Sequence, residues 1–160
     1  MFTEMESVYI ETSVVSYLVA RPSRNPVTAW RQRLTKEWWV EQRGDFACVI
    51  SQEVIAEALA GDSSMAAKRM AALHGLPLVA GGTESSKLTA DLLERGLFPA
   101  TVRADANHLA IATCAAVDYL VTWNYRHLVN AVVLQRLEKF LASRSLHLPR
   151  VCTPEEFMET

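Results

Sequence analysis

Apolar residues fall into two spacings along this chain. Short β-rich runs at 7–11, 46–50, 76–80, 119–123 and 151–153 read as strands, with Pro77 placing the third at a sheet edge. Between them the apolar spacing lengthens to a helical period. Segments 14–19, 27–42, 52–60, 65–73, 83–93 and 128–142, with the stretch beginning near Thr101, read as helices, and 154–157 as a closing helical turn. Local signals fit these bounds: Thr12, Ser13 and Ser51 as caps, a proline-rich break at 21–26, and stops at Gly44 and Gly96. Strands alternating with helices predict an α/β fold, with a five-stranded, mainly parallel sheet and helices on both faces. The whole of 1–160 reads as one domain. In such sheets the functional crevice lies beyond the carboxyl ends of the strands.

That geometry gives weight to the polar residues at strand ends and helix starts. Asp105 heads the apolar stripe of its own helix, within roughly 40° of Leu109, Ala112 and Ala116 at about 100° per residue. A carboxylate on a core-facing stripe is costly unless a cation, a proton or an arginine compensates it. Glu11 closes the first strand and Asn124 follows the fourth. Of the two acids on the helix after the second strand, Glu57 sits roughly 130° from the apolar stripe and Glu53 roughly 170°. Glu57 is thus the one able to reach a crevice, while Glu53 is expected to face water. Glu11, Glu57 and Asp105 converge in this reading, with Asn124 as a neutral oxygen ligand. Carboxylates so close cannot all stay ionised without a cation. Hard oxygen donors without cysteine suit Mg²⁺ or Mn²⁺, which act on phosphate esters.

Composition narrows the class. Half of the residues are hydrophobic and the formal net charge is −2, so no global basic field marks a nucleic-acid binder, though a local patch beside a metal site would suffice. No apolar run is long enough to span a bilayer, and the acidic opening is not a signal-peptide pattern. Cys48, Cys114 and Cys152 lack zinc-site spacing and read as reduced core thiols of a cytoplasmic protein.

The run from Val8 to Ser13 resembles the opening acid-Thr-Ser element of PIN-domain ribonucleases, and Ile50 to Glu57 resembles their second acidic element. The stretch from Asp105 to Ala112, followed by Asp118 to Asn124 with its closing Thr122-x-Asn124, is similar to the third acidic element and its end. Order and spacing match over nearly the whole chain, closest to VapC-type toxins of toxin–antitoxin modules. The resemblance implies a Mg²⁺- or Mn²⁺-dependent endoribonuclease acting on RNA, often a homodimer held by a small antitoxin. Two positions depart from the pattern: the first acid is Glu11 rather than aspartate, and the last is Asn124.

Supporting residues carry two readings each. Thr12 and Ser13 are plain helix caps or groups orienting Glu11. His108 is a partly buried core histidine, or a group that touches phosphate or acts as an acid. Arg126 and His127 hold phosphate or belong to a solvated loop. Arg21, Arg24, Arg31, Arg33, Lys36 and Arg43 either track an RNA backbone or coat a solvent face. Trp30, Trp38 and Trp39 are read as a dimer or antitoxin surface in preference to a base-stacking platform. A phospho-receiver module fails because the third and fifth strands end without its aspartate and lysine, and a dinucleotide fold fails for want of GxGxxG. The surviving alternative is a PIN-like scaffold that binds RNA or protein with little or no nuclease activity.

Overall fold

The computed structural model describes residues 5–158, and residues 1–4 of the acidic opening lie outside them. The first strand, β1 (Ser7–Ile10), is followed by α1 (Thr12–Val19) and α2 (Pro26–Glu37). Next come β2 (Ala47–Val49), α3 (Gln52–Ala58), α4 (Ser63–Leu73), α5 (Thr83–Glu94) and α6 (Arg103–Cys114). The chain closes with β3 (Tyr119–Val121), α7 (Ala131–Ser143), β4 (Arg150–Cys152) and α8 (Pro154–Met158). All pairings are parallel, in the order β2-β1-β3-β4. Val8, Tyr9 and Ile10 are each fully buried. Side chains alternate between faces along a strand, so both faces of β1 are covered. Because β2 flanks β1 on one side and β3 on the other, the winding reverses between β1 and β3, where open α/β sheets place their crevices.

Among the described residues, the expected sheet of five strands has four. Segment 76–80 contributes only an isolated parallel bridge, Ile50 to Leu78, with Ile50 N–H donating to Pro77 O at 3.0 Å and Val79 N–H to Ile50 O at 2.8 Å. Pro77 has no N–H to give, Leu78 is about half exposed and Gly81 and Gly82 follow at once, so pairing stops after one step.

The helix expected at 27–42 also ends early. Asn25 caps α2 by accepting from Thr28 N–H at 3.1 Å, with Pro26 at its first turn. After Glu37 the backbone relaxes into a π-type turn at Trp38–Gln42 and a 3₁₀ turn at Arg43–Asp45. The widened turn sends Trp38 into the core, fully buried, with its ring 5.7 Å from that of Phe157 on α8. Trp38 is therefore core, not surface; Trp30 stays partly exposed.

A 3₁₀ turn at Ala100–Val102 leads into α6, which is buried on most sides: Ala106 and His108 to Thr113 are all buried. The apolar stripe stops at Ala112. α6 ends at Cys114, and Ala116, expected on the stripe, is exposed in the left-handed region with φ 55°. Buried Cys48 and Cys152, with half-buried Cys114, are free thiols. Among the described residues no helix is long and apolar enough to cross a membrane.

Candidate functional site

β1 and β3 run in register, Ile10 opposite Val121, and Glu11 N–H continues the ladder to Val121 O at 3.1 Å. The residues after these strands therefore leave the sheet side by side. Glu11 turns the chain into α1 as its N-cap, its carboxylate accepting from the Ser13 amide at 3.0 Å and from the Ser13 hydroxyl. From the neighbouring strand end, the Thr122 hydroxyl donates to the same carboxylate at 2.6 Å. These hydroxyls in turn accept backbone amides, Ser13 from Trp123 at 2.9 Å and Thr122 from Asn124 at 3.0 Å. Glu11 is only 6% exposed, so this donor set is what makes a carboxylate tolerable there. Thr12 and Ser13, expected as caps, are the first residues of α1, because Glu11 is the N-cap; Ser13 orients the Glu11 carboxylate instead.

Glu57 arrives from α3. Ser51 caps that helix, its hydroxyl accepting from Val54 N–H at 3.4 Å, and the next turn carries Glu57 toward β1. Thr12 Oγ1 donates to Glu57 Oε1 at 2.7 Å, and His108 Nε2 from α6 bonds the same oxygen. Burial acts to raise the Glu57 carboxyl, but the hydrogen bond and charge of His108, with the Thr12 hydroxyl, outweigh it and hold Glu57 below the usual carboxylate range. For His108 burial acts downward, and the Glu57 hydrogen bond with the charges of Glu11, Glu57 and Glu53 reverses it, leaving the imidazole above its ordinary value.

His108 is fully buried rather than partly so. Its other ring nitrogen, Nδ1, meets the Tyr9 hydroxyl at 2.7 Å, and that hydroxyl meets Ser51 Oγ at 2.6 Å. A buried polar rod thus runs from the α3 cap through β1 to Glu57. Tyr9 was not singled out in the sequence, and Ser51 was read only as a helix cap. The available signal was a tyrosine between Val8 and Ile10 in a buried strand, since a buried Tyr hydroxyl requires a partner.

Asp105, in the first turn of α6, is half-buried. Burial is the largest influence on it and raises its carboxyl; a hydrogen bond from Asn124 opposes, the charge of Glu11 adds to the rise, and His127 and His108 oppose it. The net direction is upward. Asn124 is fixed in turn, its Oδ1 accepting from His127 N–H at 3.1 Å. Arg126 is exposed and bonds to none of the described residues. Glu53, expected to face water, is half-buried and accepts from Asn107 Nδ2 at 3.0 Å, because α6 packs against α3 and closes that side.

Glu11, Glu57 and His108 each bring a ligand atom within 4.8 Å of the others. Asp105 is outside that trio and joins the site through Glu11 and Asn124. Compared with protein-family models and with curated proteins, the chain matches none.

Proposed function

We propose that the chain is a metal-dependent endoribonuclease of the PIN type, the toxin half of a toxin–antitoxin module. What carries this reading is the meeting of Glu11 and Glu57, from separate elements, beyond the strand ends where the winding reverses, with Asp105 close enough to feel Glu11. Glu11 keeps an accepting direction on Oε2, which takes one amide, and Glu57 has a second oxygen beyond the one held by Thr12 and His108. The two glutamates therefore have oxygen left to offer a divalent cation, and Asp105, outside the 4.8 Å cluster but beside Glu11, with Asn124 as a neutral oxygen donor, would complete its proposed holders. The oxygen set suits Mg²⁺ or Mn²⁺. When bound, such an ion supplies a water nucleophile at neutral pH and neutralises charge on a scissile phosphate.

The chain's own groups set up that chemistry. Ser13 and Thr122 fix the Glu11 carboxylate, Thr12 and His108 fix Glu57, and Asn124 orients Asp105. RNA is the proposed substrate, and an antitoxin and a second copy of the chain are the proposed partners. The scaffold alternative is favoured by one observation: both Glu11 oxygens already accept hydrogen bonds from this chain.

Cleavage of a mixed RNA pool by the purified protein and its Asp105→Asn variant, with and without Mn²⁺, separates the two. Cutting only by the unmodified protein with metal is the expected result. Equal cutting by the folded variant removes the site assignment, and no cutting by either favours the scaffold.

A further inference from the structure

Arg31 on α2 is a cation without an anionic partner. Its guanidinium lies 5.6 Å from the ring centre of Trp123 and 4.9 Å from that of Tyr125, on either side of Asn124 in the chain. It forms no ion pair and its head group makes no hydrogen bond with the described residues. Nε is buried without a partner, whereas the terminal nitrogens are not among the buried unbonded atoms, so they reach solvent. The platform beneath is itself anchored: Trp123 is 4% exposed, and its indole N–H donates to Thr35 Oγ1 at 2.7 Å, one turn along α2 from Arg31.

A half-buried guanidinium usually acquires a carboxylate, because aromatic faces offset only part of its lost hydration. Here the segment 123–125 supplies two rings, and no acid pairs with the guanidinium. Contact with the two rings holds the guanidinium in place and leaves its outer donors unspent, which suits a two-point contact with phosphate. Arg21, Arg24, Arg33 and Lys36 are exposed and make no comparable contact. This distinguishes Arg31 from a solvated basic face. Arg43 repeats the arrangement over Trp39 at 4.5 Å, with Nε also buried and unbonded, but it precedes β2, at the amino ends of the parallel strands and away from Asn124.

We infer that Arg31 is a substrate-positioning residue that grips a backbone phosphate of RNA beside Asn124. The inference rests on the nuclease reading above. Its test is the binding of a fluorescein-labelled, mixed-sequence single-stranded RNA to the full chain in chelator, read by anisotropy across a salt series. Arg31→Ala is expected to weaken binding about tenfold and to flatten the log–log salt dependence by about 0.7, the share of one phosphate contact on a single strand. Arg31→Lys, which keeps a cation but loses the planar fork, is expected to keep the salt slope and lose part of the affinity.

A purely structural clip between α2 and the 123–125 segment would change thermal stability without changing the salt slope. A folded Arg31→Ala protein with unchanged affinity and slope overturns the proposal, as does an Arg31→Lys protein whose slope is reduced by the full amount; the latter decides if the alanine variant does not fold. RNA cleavage by the unmodified protein together with either result overturns Arg31 alone. No binding and no cleavage by the unmodified protein overturns the nuclease reading and Arg31 with it.

Discussion

Removing the Tyr9 hydroxyl would leave His108 Nδ1 without its partner, and Ser51 Oγ with only the Val54 amide, in a region closed to water. Tyr9→Phe is expected to cost about 1–2 kcal/mol in urea denaturation, the usual penalty for orphaned buried polar groups. A free imidazole also orients Glu57 less well, so Mn²⁺ affinity, measured by calorimetry, is expected to fall about tenfold. Unchanged Mn²⁺ affinity would show that the rod serves the core alone. Helical spacing placed Glu57 at a crevice and Asp105 on a core-facing stripe, and both are half-buried at the site. Glu53 did not follow that arithmetic, because an angle around one helix carries no information about the neighbour that covers it. His108 shows the same limit from the other side: its position near Asp105 was visible, and its bond to Glu57 was not.

Element ends were the least legible part of the chain. Nothing in the local pattern of 27–42 marks where α2 gives way to a π-type turn, since the tryptophan that drives it finds its pocket against α8, distant in sequence. Segment 76–80 has the composition of a strand, yet one bridge is all that Pro77 and the glycines allow. The end of α6 yields a direct test. Ala116 closes the helix at φ 55°, its N–H donating to Thr113 O at 3.0 Å, in a conformation disfavoured by any Cβ. Ala116→Gly is expected to raise stability by about 0.5–1 kcal/mol, seen as a higher denaturation midpoint, with relief of that strain exceeding the added freedom of the unfolded chain. A lower midpoint would mean that the methyl group packs usefully where it stands.

Parallel pairing was readable from alternation alone, whereas the reversal of winding between β1 and β3 emerged only from the structure. If the meeting of the acids is a cation site, the whole fold responds to the ion. Mn²⁺ at a hundredfold excess over its Kd is expected to stabilise the protein by about 2.7 kcal/mol, observed as a rise in Tm, with most of the rise lost in Glu57→Gln. No rise with either Mn²⁺ or Mg²⁺ would leave the carboxylates as structural groups only. The polar residues at the strand ends identified the place, while the shared hydroxyls of Ser13 and Thr122 emerged only once β1 and β3 were set side by side.

The seam between β1 and β3 has one more consequence. Gly81 and Gly82 lie exposed between the two halves of the chain. Everything before them holds β1, β2, Glu11 and Glu57; everything after holds β3, β4, Asp105, His108 and Asn124. Neither half owns a complete constellation. On the proposed reading the candidate site sits on the joint where the halves meet, so an ion seated there would fasten one half to the other like a rivet, and a chain nicked at the glycines would need both pieces reunited before the site could form.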